Sequence, residues 1–80
     1  MSADELLSVH LWDLRAQAES KIRCLTRVQQ MLVERRESDD PVARATKRDA
    51  IIEDLTDIIS ITKSLRALAQ TALAEAKRLT

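Results

Sequence analysis

Glycine occurs at none of the 80 positions, and proline at only one, Pro41. Glycine enters positive φ without steric cost, and tight β-hairpin turns depend on that freedom. A chain without it is poorly equipped for closely spaced strand reversals. It also lacks the Gly-rich loop that cradles phosphate and the dinucleotide fingerprint. The expected outcome is an all-α chain with one break, at the proline.

Composition narrows the class further. Thirteen Lys and Arg balance thirteen Asp and Glu for a formal net charge of zero, with 32 % charged and 45 % apolar residues. That is too apolar for disorder and too charged for a membrane span, so no membrane insertion is expected. Eighty residues make a single domain at most. One Cys and one His build neither a Cys/His zinc site nor an internal disulfide. No metal or cofactor is expected, and an enzyme is the least favoured class, because every catalytic arrangement would share the one His. Asp4 and Glu5 are the opposite of a secretory signal's basic start. Cys24 alone fits a reducing compartment. A cytoplasmic location is the expectation.

The charges are also shared evenly along the chain, six of each sign in residues 1–37 and seven in 38–80. The nearest approach to a basic patch is Arg35, Arg36, Arg44, Lys47 and Arg48. Asp39, Asp40 and Asp49 interrupt it, and no aromatic residue is present there to stack on a base. Nucleic acid is not an expected partner.

Glu37-Ser38-Asp39-Asp40-Pro41 divides the chain near its midpoint. Asp40 is placed as an N-cap for a helix with Pro41 at its first position. Ser2-Ala3-Asp4-Glu5 is a capping-box pattern. Arg35 and Arg36 close the first segment, and Lys77 and Arg78 the second, with the charge a helix C-terminus favours. These signals predict a helix over about 3–37, a turn at 38–40 and a helix over about 41–79, folded back as an antiparallel hairpin. A break near Asp13 would add a short leading helix, and the polar run 43–49 would delay the second one.

The apolar period assigns Leu7, Leu11, Leu14, Ala18, Leu25, Val28 and Leu32 to the seam of the first helix, with a gap at Lys21. In the second helix it assigns Ile51, Leu55, Ile58, Thr62, Leu65, Ala69, Ala72, Ala76 and Leu79. Apolar residues remain beyond this seam. Ile52, Ile59 and Leu73 lie on one flank of the second helix, and Ile61 and Leu68 on the other. Ile22, Cys24 and Met31 widen the first. A hairpin buries one stripe per helix, and each large aliphatic side chain left in water forgoes roughly 1.5–3 kcal/mol. The whole stability of a domain this size is about 4–12 kcal/mol. The chain is therefore expected to complete its core against another protein through Ile52, Ile59, Leu73, Ile61, Leu68 and Met31. That protein is either a second copy, making a four-helix bundle, or a different chain.

The remaining features read as structure. His10 beside Trp12 and Asp13 makes a poor metal site. Trp12 sits next to a seam leucine and reads as core edge before hot spot. Cys24 reads as a small buried apolar residue. Asp49, Glu53, Asp54 and Asp57 read as a solvated acidic face, and Glu19–Arg23 as a surface pair.

The run Ile51-Ile52-Glu53-Asp54-Leu55-Thr56-Asp57-Ile58-Ile59-Ser60-Ile61, after a polar, Asp-containing turn, resembles the E-type co-chaperones of bacterial type III secretion systems. By layout the likeness spans about residues 14–70. It implies two long antiparallel helices, a bacterial cytoplasmic setting, and a non-enzymatic role in a heteromeric complex. Such proteins bind a helical-repeat chaperone, and the pair keeps the needle subunit soluble and unpolymerised before export. A homodimeric four-helix-bundle adaptor or regulator is the competing expectation.

Overall fold

Both helices start where cap chemistry allows. The computed structural model describes residues 2–80 and holds two helices, α1 (Ala3–Glu37) and α2 (Pro41–Ala76), with no strand among the described residues. Ser2 caps α1: its Oγ accepts the N–H of Glu5 at 3.2 Å, satisfying a donor the helix leaves orphaned. Asp4 and Glu5 in the first turn and Arg35 and Arg36 in the last match the helix dipole. Residues 38–40 connect the two elements. The Asp40 carboxylate accepts the N–H of Val42 at 3.0 Å, and Pro41 occupies the first turn, where its missing N–H leaves no bond unmade. The reversal uses no positive-φ residue, as a chain without glycine requires.

α1 runs unbroken from Ala3, so no separate leading helix exists, and α2 is not delayed by its polar start. α2 stops at Ala76, short of the expected 79. The Lys77 N–H still reaches the Leu73 carbonyl at 3.1 Å, but the Arg78 N–H bonds the Glu75 carbonyl at 3.0 Å, a tightened last turn. Five threonines (26, 46, 56, 62 and 71) donate to the carbonyl four residues back, which gives each hydroxyl a partner inside the helix.

So short a connection turns α2 back along α1. The molecule measures 61 × 15 × 15 Å with a radius of gyration of 18.0 Å, against about 12 Å for a compact 80-residue globule. Two ion pairs align the helices: Arg27 with Asp54 and Lys47 with Glu34. Both pairs have residue numbers summing to 81. Ile22 therefore lies level with Ile59, and Arg15 with Arg66.

The stripe between the helices is not the one that apolar period alone selects. α1 contributes Leu7, His10, Leu14, Gln17, Lys21, Cys24, Val28 and Met31, all buried or half-buried. α2 contributes Lys47, Ile51, Asp54, Ile58, Ile61, Leu65, Leu68, Ala72 and Glu75. Leu11, Leu25 and Leu32 of α1 are exposed, as are Leu55, Thr62, Ala69, Ala76 and Leu79 from the second half. The contact is rotated by about 50° from the centre of each apolar sector, half a residue step on a 3.6-residue helix. Each sector is wider than a two-helix contact can cover, and the contact lies at the edge of the sector where the cross-helix ion pairs sit. The resulting core is thin. Cys24 and Ala72 are the only buried apolar residues among the described residues, and no large side chain is completely enclosed.

Candidate functional site

The hairpin has two broad faces, because antiparallel pairing puts corresponding flanks of the two helices on the same side. One face is polar and carries both cross-helix ion pairs. Arg27 Nε donates to Asp54 Oδ2 at 2.6 Å and its Nη2 to Oδ1 at 3.1 Å, a two-point clamp across the helices. Asp54 is only 9 % exposed. The Arg27 hydrogen bonds hold its carboxyl below the usual carboxylate range, against burial, which pushes it up. The guanidinium of Arg27 is correspondingly raised by its bonds to Asp54. About two helical turns towards the connection, Lys47 and Gln30 bind the Glu34 carboxylate and lower its pKa in the same way.

The opposite face is apolar. It carries Leu11, Ile22, Leu25 and Leu32 from α1, and Ile52, Leu55, Ile59 and Leu73 from α2. Each is more than 40 % exposed, with Ile22 at 61 % and Ile59 at 59 %. Leu25 and Leu55 run along the middle, and Ile22 and Ile59 form the shoulders. Covering eight half-exposed aliphatic side chains is worth on the order of 10 kcal/mol, comparable with the total stability of an 80-residue domain. The surface area points the same way. The chain exposes 6074 Å², whereas a compact monomer of this mass exposes about 4,900 Å². The excess exceeds the roughly 800 Å² that each partner loses in a standard interface.

Of the six residues assigned to partner binding from sequence, Ile52, Ile59 and Leu73 lie together on this face. Ile61, Leu68 and Met31 lie elsewhere: they are half-buried in the stripe between α1 and α2, because the rotated contact takes in their flank. Leu11, Leu25, Leu32 and Leu55 belong to the face and escaped the sequence reading, which spent them on the seam. The helical period had already grouped them. What it lacked was the direction of the second helix.

The other singled-out residues fall as follows. Cys24 is buried, with its Sγ at 3.5 Å from Arg27 Nη2. Trp12 is 71 % exposed on the outside of α1, not at a core edge. Asp54 is a buried clamp residue and not part of a solvated acidic face. Glu19 pairs with Arg15 at 3.0 Å instead of Arg23. In the basic cluster near the connection, Lys47 holds Glu34, Arg48 holds Asp49, and Arg44 donates to the Ser38 carbonyl. The three main surface grooves are each lined by α1 alone, so none is a cleft between the helices. Among the described residues no three His, Cys, Asp or Glu are grouped to hold a metal ion. No helix is long and apolar enough to cross a membrane. No protein-family model, curated protein or solved structure matches this chain.

Proposed function

We propose that this chain is a non-enzymatic protein-binding hairpin that docks its Leu25/Leu55 face on a partner and works as a co-chaperone. In this reading it steadies a helical-repeat chaperone, and the pair keeps an export subunit, the type III secretion needle protein, from polymerising. The observation that carries the docking role is the single apolar face of eight exposed aliphatic residues on a hairpin whose own core is thin. The resemblance of the Ile51–Ile61 run to E-type co-chaperones supplies the identity of the partner.

The test is co-expression with a helical-repeat protein encoded beside this chain. The expected result is a stable complex that Ile59→Asp abolishes while circular dichroism stays helical. A helical Ile59→Asp chain that keeps the complex overturns the choice of face. A genetic neighbourhood with no helical-repeat protein overturns the co-chaperone identity. The docking role is tested separately by uptake of an apolar fluorescent dye, and a monomeric chain that takes up none overturns it.

A further inference from the structure

The apolar face matches itself in area, in shape and in charge. It measures 61 × 15 Å, about 900 Å² per copy. Two such faces pressed together remove roughly 1,800 Å² from water, the size of a standard stable interface. The shape match follows from the level that Ile22 and Ile59 share near mid-length. A two-fold axis lying between two facing hairpins, and crossing them at that level, runs α1 against the second copy's α1 and α2 against its α2, both antiparallel. Positions equally far from Ile22 on α1, or from Ile59 on α2, then come opposite within one residue. Ile22 and Ile59 meet their own counterparts. Leu11 meets Leu32, Ala18 meets Leu25, Ala45 meets Leu73 and Leu55 meets Thr62. Three of these four set a large side chain against a small one, as interdigitating layers require.

No arginine of the face comes opposite another in this arrangement. Arg15 meets Gln29, Arg48 meets Ala69, Arg36 meets Ser8 and Arg66 meets Ile52. Arg15 and Arg48 already hold Glu19 and Asp49. Arg36 and Arg66 are exposed and form no ion pair within the hairpin among the described residues. In the pair, each gains a carboxylate from the other copy. Asp4 is exposed, lies on the flank of Leu11 and sits one turn from Ser8, which brings it within reach of Arg36. Asp49 lies three residues from Ile52, about 4.5 Å along the helix, within reach of Arg66. An axis along the hairpin instead sets Arg15 against Arg66 twice in one layer, and like charges brought together as water leaves penalise that pairing.

We propose that the free chain closes this face on a second copy of itself, as an antiparallel four-helix bundle whose two-fold axis passes through the Ile22 and Ile59 pairs. The inference rests on the apolar face and not on the co-chaperone reading, and it goes beyond that reading by giving the face an occupant when no other protein is present. Any other protein that docks over Leu25 and Leu55 exchanges with the second copy.

Sedimentation equilibrium of the full chain alone, at about 10 µM, is expected to give a dimer. Arg36→Glu is expected to loosen it at least fivefold at low salt, and Asp4→Arg added to Arg36→Glu to restore it. Oxidised Ile22→Cys is expected to form a disulfide-linked dimer, because a residue on the axis lies opposite itself. The wild-type chain, whose one thiol at Cys24 is buried, forms none. A wild-type monomer that takes up the apolar dye overturns the inference and leaves the docking face standing. A monomer that takes up none overturns the docking face as well. A dimer that cross-links only when Ile22→Cys is mixed with Ile59→Cys has its axis along the hairpin and overturns the inference, as does association unchanged by Arg36→Glu. If Ile22→Cys fails to fold, Ile59→Cys alone takes its place, since it lies on the same axis and must cross-link to itself.

Discussion

The two broad faces of this hairpin are built from the same two helices, yet they meet opposite ends. On the polar face, carboxylates and cations from α1 and α2 find each other: Arg27 clamps Asp54 and Lys47 reaches Glu34. On the other, eight aliphatic side chains stand exposed and no residue of the chain covers them. Cross-helix ion pairs are geometrically exacting, because a clamp such as Arg27–Asp54 works at one register only. Hydrophobic contact is not directional. The helices therefore align where the charges are specific, and the less exacting apolar surface is left outward.

The contrast can be broken most severely at the apolar shoulders. Ile22→Asp combined with Ile59→Asp is expected to weaken docking in the co-expressed complex by at least 100-fold, on the scale of interface hot spots. Circular dichroism should remain helical, since both residues already stand in water.

The clamp is the next lever. Asp54→Ala leaves Arg27 without its partner and is expected to lower the thermal midpoint by several degrees. Asp54→Leu sharpens the test. It places an aliphatic side chain between Ile51, Ile58 and Ile61, and the released Arg27 is exposed enough to return to water. Its midpoint should equal or exceed that of the wild type, with alternative registers or larger assemblies appearing in sedimentation. If Asp54→Leu instead melts as low as Asp54→Ala, the clamp contributes stability and not only alignment.

Acid should erase the contrast more gently. The Asp54 and Glu34 carboxyls are both held below their ordinary values by cross-helix donors. Their contribution is thus complete above the ordinary carboxylate range. It fades as pH falls through the lowered values. Thermal midpoints should be flat near neutrality and drop on acidification, and Asp54→Asn should flatten part of that drop.

A smaller effect belongs to the connection. Asp40→Ala removes the cap on Val42 and should cost about 1 kcal/mol in urea unfolding. The smallest belongs to Trp12, which stands exposed beside Leu11 and outside the contact between the helices. Trp12→Ala should change stability by less than about 0.5 kcal/mol.

Much of this architecture is legible in the residues themselves. Ser2, Asp40 and Pro41 announce both helix starts through backbone donors that need a partner within a few positions. The surplus of isoleucine and leucine in the second half announces an unfinished core, because the capacity of a two-helix contact is known in advance. Ile52, Ile59 and Leu73 follow from that surplus. Leu55 does not: its sequence neighbours place it at the centre of the apolar sector, which is where a lone helix would be expected to make contact. Asp54 reads from the sequence as a solvated acid for the same reason, since its Arg27 partner is 27 residues away.

Local chemistry, acting over three or four residues, thus determined the helices, their caps and the reversal between them. The rotation of one helix against the other was decided only when they met, because it depends on pairs of side chains that the chain brings together from its two halves. That rotation of about half a residue step separates a seam leucine from an exposed one. It gave Ile61 and Leu68 to the interior, and Leu25 and Leu55 to whatever docks outside.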